Sequence, residues 1–148
     1  YSVVLFPPSR LFSKNRMDLY VLFHSAVKAA FSSLGIVCEI RDENDKGAGY
    51  YRCFDKPVFG DVVLPDGRKI AGAAQKHSRD AILTQGSVSV DIVGVAREFF
   101  LDKFSVAIAD SAGIVFESFE CSESILSKAE ELAKVKYSSD KWNMERKI

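Results

Sequence analysis

A net excess of either charge is missing from this sequence, since 20 Lys and Arg residues are balanced by 20 Asp and Glu residues over 148 positions. Nucleic acids and anionic membranes are held by basic surfaces, so neither is expected as a partner. Long apolar runs are missing too, and none reaches the length of a bilayer span. The opening YSVVLFPPSR has no basic region, long apolar stretch or small-residue cleavage site of the kind a signal peptide carries. A soluble, cytoplasmic protein is therefore the expectation. Cysteine is scarce: Cys38, Cys53 and Cys121 are odd in number and far apart, which argues against a disulfide framework and gives no pair at zinc-ligand spacing. The two histidines, His24 and His77, have no second histidine or cysteine three or four residues on, so no metal site is expected.

What is present has the balance of one globular domain over 1–148, with 47% hydrophobic and 27% charged residues. The chain opens on Tyr1, already inside an apolar strand-like run and without an initiator Met, so an upstream segment is expected. Tyr1 to Phe6 predicts a buried strand stopped by Pro7-Pro8. Met17, Tyr20, His24, Val27, Phe31 and Leu34 recur at helical steps, with Asn15 as cap and Gly35 as stop. His24 lies on that stripe and reads as a satisfied core histidine. Ile36 to Ile40 predicts a weak strand, and Arg41 to Gly49 a charged loop. Val58 to Leu64 and Lys69 to Lys76, joined by Pro65-Asp66-Gly67-Arg68, predict a β-hairpin. Ala81 to Asp91 reads as a strand, Ile92 to Ala112 as a helix ended by Gly113, and Ile114 to Phe119 as a strand. A last amphipathic helix follows from Ser122, then a tail capped at Ser139 and pinned by Trp142. The order implies an α+β fold with a mixed, mainly antiparallel sheet and packed helices.

The stretch from Cys53 to Ser87 holds the residues that suit chemistry better than plain stability. Strict alternation in the returning strand puts Lys69, Ala71 and Ala73 on one face and Ile70, Gly72 and Ala74 on the other. These small residues leave room for a ligand chain or a neighbouring strand against the backbone, and Lys69 at the mouth of such a slot suits a carbonyl or phosphate oxygen. An exposed turn lysine on a crowded sheet is the alternative. Arg52, Lys56 or Lys69 would favour the thiolate of Cys53, the reactive form; a simply buried cysteine is the alternative there. Cys38 and Cys121 read as structural. Gln85-Gly86-Ser87 marks either a bulge or a close backbone approach. His77, in a polar run, reads as a solvated strand end.

In order, Cys53-Phe54-Asp55-Lys56-Pro57, Gly67-Arg68-Lys69-Ile70-Ala71-Gly72-Ala73-Ala74-Gln75 and Leu83-Thr84-Gln85-Gly86-Ser87 resemble the central motifs of the lipoate-protein ligase and octanoyltransferase family. Tyr1-Ser2-Val3-Val4 resembles the strand after the family's glycine-rich motif, and Tyr137 to Asn143 its C-terminal signature. The resemblance implies the fold of the biotin and lipoate ligase catalytic domain, lacking its N-terminal part with the Arg-Arg and Gly-rich motif. The segment between Asp91 and Ile114 looks shorter than in typical members. The implied chemistry joins an octanoyl or lipoyl group to one lysine of a lipoyl domain or glycine-cleavage carrier protein. The donor is an acyl carrier protein or free lipoate. By resemblance, Cys53 takes the acyl group as a thioester and Lys69 contacts the acyl carbonyl or the phosphate of an acyl-adenylate; backbone N–H groups near Gly72 or Gly86 are expected to help hold the oxyanion. Ala71, Gly72, Ala73, Gln85, Gly86 and Ser87 are the expected acyl-binding residues. Such a transferase needs no cofactor. A ligase of the same family would use ATP and Mg²⁺ and no cysteine, and a non-catalytic member needing a partner chain is the third possibility.

Overall fold

The structure is a computed structural model that describes residues 1–42 and 57–144. It divides into two units, Tyr1–Val115 and Phe116–Ile148.

In the first unit, Asn15 opens helix α1, Arg16–Ser33, with its side-chain oxygen accepting the Asp18 N–H at 2.8 Å, which satisfies one of the donors a helix start leaves unpaired. Gly35, at φ 77°, takes the left-handed turn that ends the helix. The buried face runs through Leu19, Phe23, Ala26, Val27, Ala30 and Phe31. It is centred about one residue from the stripe read in the sequence, and Met17, at the edge of that stripe, is exposed. That shift leaves Met17 and Tyr20 on the flank of the helix, where both line an open groove.

The sheet has the order β1-β5-β4-β3-β2, with every described neighbour antiparallel. Its strands are β1 Ser2–Leu5, β2 Glu39–Ile40, β3 Val62–Val63, β4 Lys69–His77 and β5 Ile82–Val88. The expected hairpin is β3 with β4, turning through Gly67 at φ 85°. β3 is shorter than expected because the chain turns on itself first: Asp61 N–H donates to the Val58 carbonyl at 3.1 Å and Val58 N–H to the Asp61 carboxylate at 2.8 Å. Among the described strands β1 pairs with β5 alone and stands at the sheet's edge, with mostly unburied residues, so the buried strand expected for Tyr1 to Phe6 is corrected to an edge. β5 keeps unbroken register with β4 through Gln85, Gly86 and Ser87. The bulge lies elsewhere. Val62 opposes Ala71 and Val63 opposes Lys69, so β4 carries one more residue than β3 at that step, and alternation breaks there.

A 3-10 turn, Val90–Val93, and Gly94 at φ 67° lead into α2, Arg97–Ala112, which Gly113 ends at φ 59°. The expected helix start at Ile92 is corrected to Arg97. Phe31 meets Phe100 with ring centroids 4.7 Å apart, and Tyr1 packs between Phe23 and Phe104 at 6.1 and 5.2 Å. These rings join α1, α2 and the sheet edge in one apolar core, the main stabilising term of a unit this size. Cys38 is buried at its edge, as expected.

Ile114 to Phe119 forms no strand, which corrects that expectation: no described strand offers it a ladder. In the second unit, α3 Glu123–Leu132 continues as a π-helical turn, Ala133–Tyr137, and then α4 Asp140–Asn143. Ser139 caps α4 by accepting the Trp142 N–H. Trp142 packs edge-on to Tyr137 at 5.2 Å, beneath the Lys136 ammonium at 4.5 Å. Cys121 is exposed rather than structural. No described helix is long and apolar enough to cross a membrane.

Candidate functional site

The turn before β3 builds the site. Asp61 is fully buried, and each of its carboxylate oxygens is engaged: Oδ2 lies 2.8 Å from Lys69 Nζ and accepts the Val58 N–H, while Oδ1 accepts the Tyr20 hydroxyl at 2.6 Å. A buried charge is tolerated only when it is paired and hydrogen-bonded, and Asp61 meets both conditions. The Lys69 side chain is 8% exposed, so it is not a solvated turn lysine. Tyr20 Oη also accepts the Ala73 N–H at 3.2 Å. One hydroxyl thus joins α1, β4 and the buried carboxylate. Burial, then the bond to Asp61, pushes the Tyr20 phenol well above its ordinary value, so it stays a neutral donor.

Two glycines make room for this arrangement. A Cβ on Gly72 would meet the Lys69 side chain, 2.6 Å from Nζ and 3.1 Å from Asp61 Oδ1. A Cβ on Gly60, at φ 87°, would lie 2.7 Å from the Tyr20 ring. The bulge explains why Lys69 and Gly72 meet, although strict alternation assigns them to opposite faces.

His24 is buried beside this cluster, with Nδ1 2.6 Å from the Gly60 carbonyl and its ring edge-on to Tyr20 at 4.3 Å. Nε2 has no hydrogen-bond partner among the described residues, so only half of the expected satisfied histidine is present. Burial lowers the imidazole below its ordinary value; the Gly60 carbonyl and Asp61 oppose this, and Lys69 adds to it. A histidine held neutral in the fold contributes stability that is fully present above its unfolded value of about 6.5 and is lost as pH falls toward the folded value. The unfolding free energy from urea titrations is expected to decline from pH 7 toward pH 5, and His24→Asn to flatten that slope. An unchanged slope assigns the decline to other groups.

Beside Tyr20 an open groove of about 400 Å³ is lined by Arg16, Met17, Val58, Phe59, Ala73 and Gln75. Its walls are mainly apolar, with Arg16 and Gln75 as polar groups. Gln75 Oε1 meets His77 Nε2 at 3.0 Å, and its amide nitrogen is buried without a hydrogen-bond partner among the described residues.

The structure brings some of the expected site residues together and places others apart. Lys69 and Gly72 touch, and Ala73 lines the groove. Ala71 is fully buried in the core. Gly86 lies under the Tyr1 ring, and its N–H donates to the Tyr1 carbonyl at 3.0 Å, so Gly86 marks a close approach rather than a bulge. That N–H is committed and does not face an empty oxyanion position. Gln85 and Ser87 are exposed, Gln85 reaching Ser2 at 3.4 Å. Cys53 lies outside the described residues. Asp61 and Tyr20 were missed as site residues, although an aspartate inside the apolar run VFGDVVL was a readable signal. Among the described residues no group of three or more His, Cys, Asp or Glu is placed to hold a metal ion.

Residues 1–92 match the model of the Biotin/lipoate A/B protein ligase family. Octanoyltransferase LipM of Brevibacillus brevis is 21% identical over 189 residues, covering 99% of this chain and 68% of that protein. Octanoyltransferase LipM of Bacillus cereus is 25% identical over the same coverage. Those aligned stretches are longer than this whole chain, so the relatives carry internal residues that it lacks. The fold is shared with a bi-partite lipoate protein ligase from Thermoplasma acidophilum, studied with its E2 lipoyl domain, at a TM-score of 0.72 and 20% identity. The match covers 97% of this chain and 62% of that one, so the chain spans about three fifths of the solved structure.

Proposed function

The chain belongs to the biotin/lipoate A/B protein ligase family, and from that premise we propose that it serves protein lipoylation. It passes an octanoyl or lipoyl group to a lysine of a lipoyl carrier domain by way of a thioester on Cys53. The observation that carries this reading is the buried Asp61–Lys69 pair at 2.8 Å beside a mainly apolar groove. A fixed ammonium, tied through Asp61 to Tyr20 and Val58 of the groove wall, suits an acyl group whose carbonyl must be polarised.

In the first step the Cys53 thiolate attacks the acyl carbonyl of a carrier-bound thioester. The carbon–sulfur bond to Cys53 forms, the bond to the carrier sulfur breaks, and the carrier leaves as a thiolate that takes up a proton. Lys69 donates a hydrogen bond to the carbonyl oxygen as negative charge grows on it, while one of its N–H groups stays on Asp61. In the second step the amine of the acceptor lysine attacks the Cys53 thioester, the amide forms, the amine gives up a proton, and the Cys53 thiolate is regenerated. The acyl tail lies in the groove along Met17, Val58, Phe59 and Ala73. The octanoyltransferases similar to this chain favour transfer over ATP-dependent ligation. Asp61, the carboxylate paired with Lys69, already accepts from three donors, which fits it poorly as a ligand for Mg²⁺ with ATP.

Incubation with octanoyl-loaded acyl carrier protein is expected to add one octanoyl mass to the intact chain, and Cys53→Ser to abolish that adduct. An adduct that survives Cys53→Ser ends the cysteine role. Acylation by free octanoate that needs ATP and ignores Cys53→Ser would move the chain to the ligases. Acylation only when an N-terminal half is supplied in trans would make it one part of a two-chain enzyme.

A further inference from the structure

Tyr20 occupies two places at once. Its ring is a wall of the groove, and its hydroxyl is bonded to the carboxylate that holds Lys69. It approaches that carboxylate over a glycine, Gly60, whose missing side chain is what lets the ring lie against the turn. The same hydroxyl accepts the N–H of Ala73, four residues beyond Lys69 in β4. The orientation of Asp61 is therefore fixed from two sides, by Val58 N–H on Oδ2 and by Tyr20 on Oδ1. With the phenol removed, Oδ1 has no described donor and the carboxylate is held from one side only, by the Val58 N–H on Oδ2. Lys69, which meets that same Oδ2, would then be positioned less tightly over Gly72.

We propose that Tyr20 is a positioning residue for Lys69, acting through Asp61. The claim rests on the functional reading above for its consequence in catalysis, but not for the positioning itself. A tyrosine that only filled space would be replaceable by phenylalanine. A positioning tyrosine is not, because the ring stays and the hydroxyl alone is lost.

The test therefore uses Tyr20→Phe in the full chain, with circular dichroism and a thermal melt showing that it folds. Two quantities are read. The first is site-resolved acetylation of Lys69 by acetic anhydride, followed by peptide mass spectrometry against the exposed Lys76 of the same strand. The second is kcat and KM for octanoyl transfer from acyl carrier protein to a lipoyl domain. Tyr20→Phe is expected to raise Lys69 labelling relative to Lys76 by about threefold to tenfold, and to lower kcat by a similar factor with KM little changed, the scale of one such hydrogen bond. Asp61→Asn, which keeps the shape and removes the charge, is the second variant and is expected to raise labelling further. Labelling equal to the wild type in both variants overturns the proposal. So does a raised KM at unchanged kcat, which makes Tyr20 a groove wall and nothing more. If the wild type transfers no acyl group from any donor, the functional reading fails, and labelling alone still decides whether Tyr20 holds Lys69.

Discussion

Asp61→Ala is expected to remove about 3–5 kcal/mol of stability, the range for breaking one side of a buried ion pair. The size follows from what stays behind. The Lys69 ammonium remains at a position where its side chain is 8% exposed, the Tyr20 hydroxyl loses its acceptor, and the Val58 N–H loses the bond that closes its turn. A solvated pair such as Arg68–Asp66, with both side chains more than half exposed, belongs to the class that contributes little to stability. Typical domains hold about 5–15 kcal/mol in all, so this one substitution brings the first unit close to unfolding. Urea titration gives the loss directly. The double variant Asp61→Ala with Lys69→Met is expected to recover most of it, because no unpaired charge is then left inside. A loss near that of a surface pair would mean that water reaches Asp61.

The second large effect is on rate. Lys69→Met is expected to slow acyl transfer by about 10²–10³, the cost of removing one preorganised group from a developing oxyanion. Lys69→Arg is expected to restore little, although it keeps the charge. The ammonium sits where even a single carbon on Gly72 would come within 2.6 Å, and a planar guanidinium needs more room than that. Single-turnover transfer measured under saturating donor checks both variants. Lys69→Arg at wild-type rate would show that charge alone matters there and that the fit over Gly72 does not.

Local rules carried much of the fold. Asn15, Gly35, Gly67 and Gly113 mark ends and turns because a cap or a left-handed backbone is a requirement of neighbouring residues only, and each stands where the chain reading put it. The hairpin was readable for the same reason. The strand expected for Ile114 to Phe119 fails because alternation describes a strand only where another strand is available to pair with it. The site was readable in part: Lys69 drew attention through the small residues after it. Asp61 did not, since its neighbours Val62 and Val63 made a plain strand; the carboxylate inside the apolar run was a readable signal, but its partner, a lysine from the facing strand, was not. Tyr20 was hidden in the helical stripe, where a tyrosine looks like any other apolar residue. His24 was assigned to the core, where it is, yet it also bonds the turn that carries Asp61.

The extra residue in β4 opposite Val62 and Val63 has a consequence for how this protein would evolve in the laboratory. Deleting one residue there would give the hairpin a regular ladder and would swing Lys69 to the opposite surface. The same deletion would leave Asp61 buried without its cation, so a library screened only for heat resistance is expected to lose such deletions, and the irregular step is kept by the pair it serves.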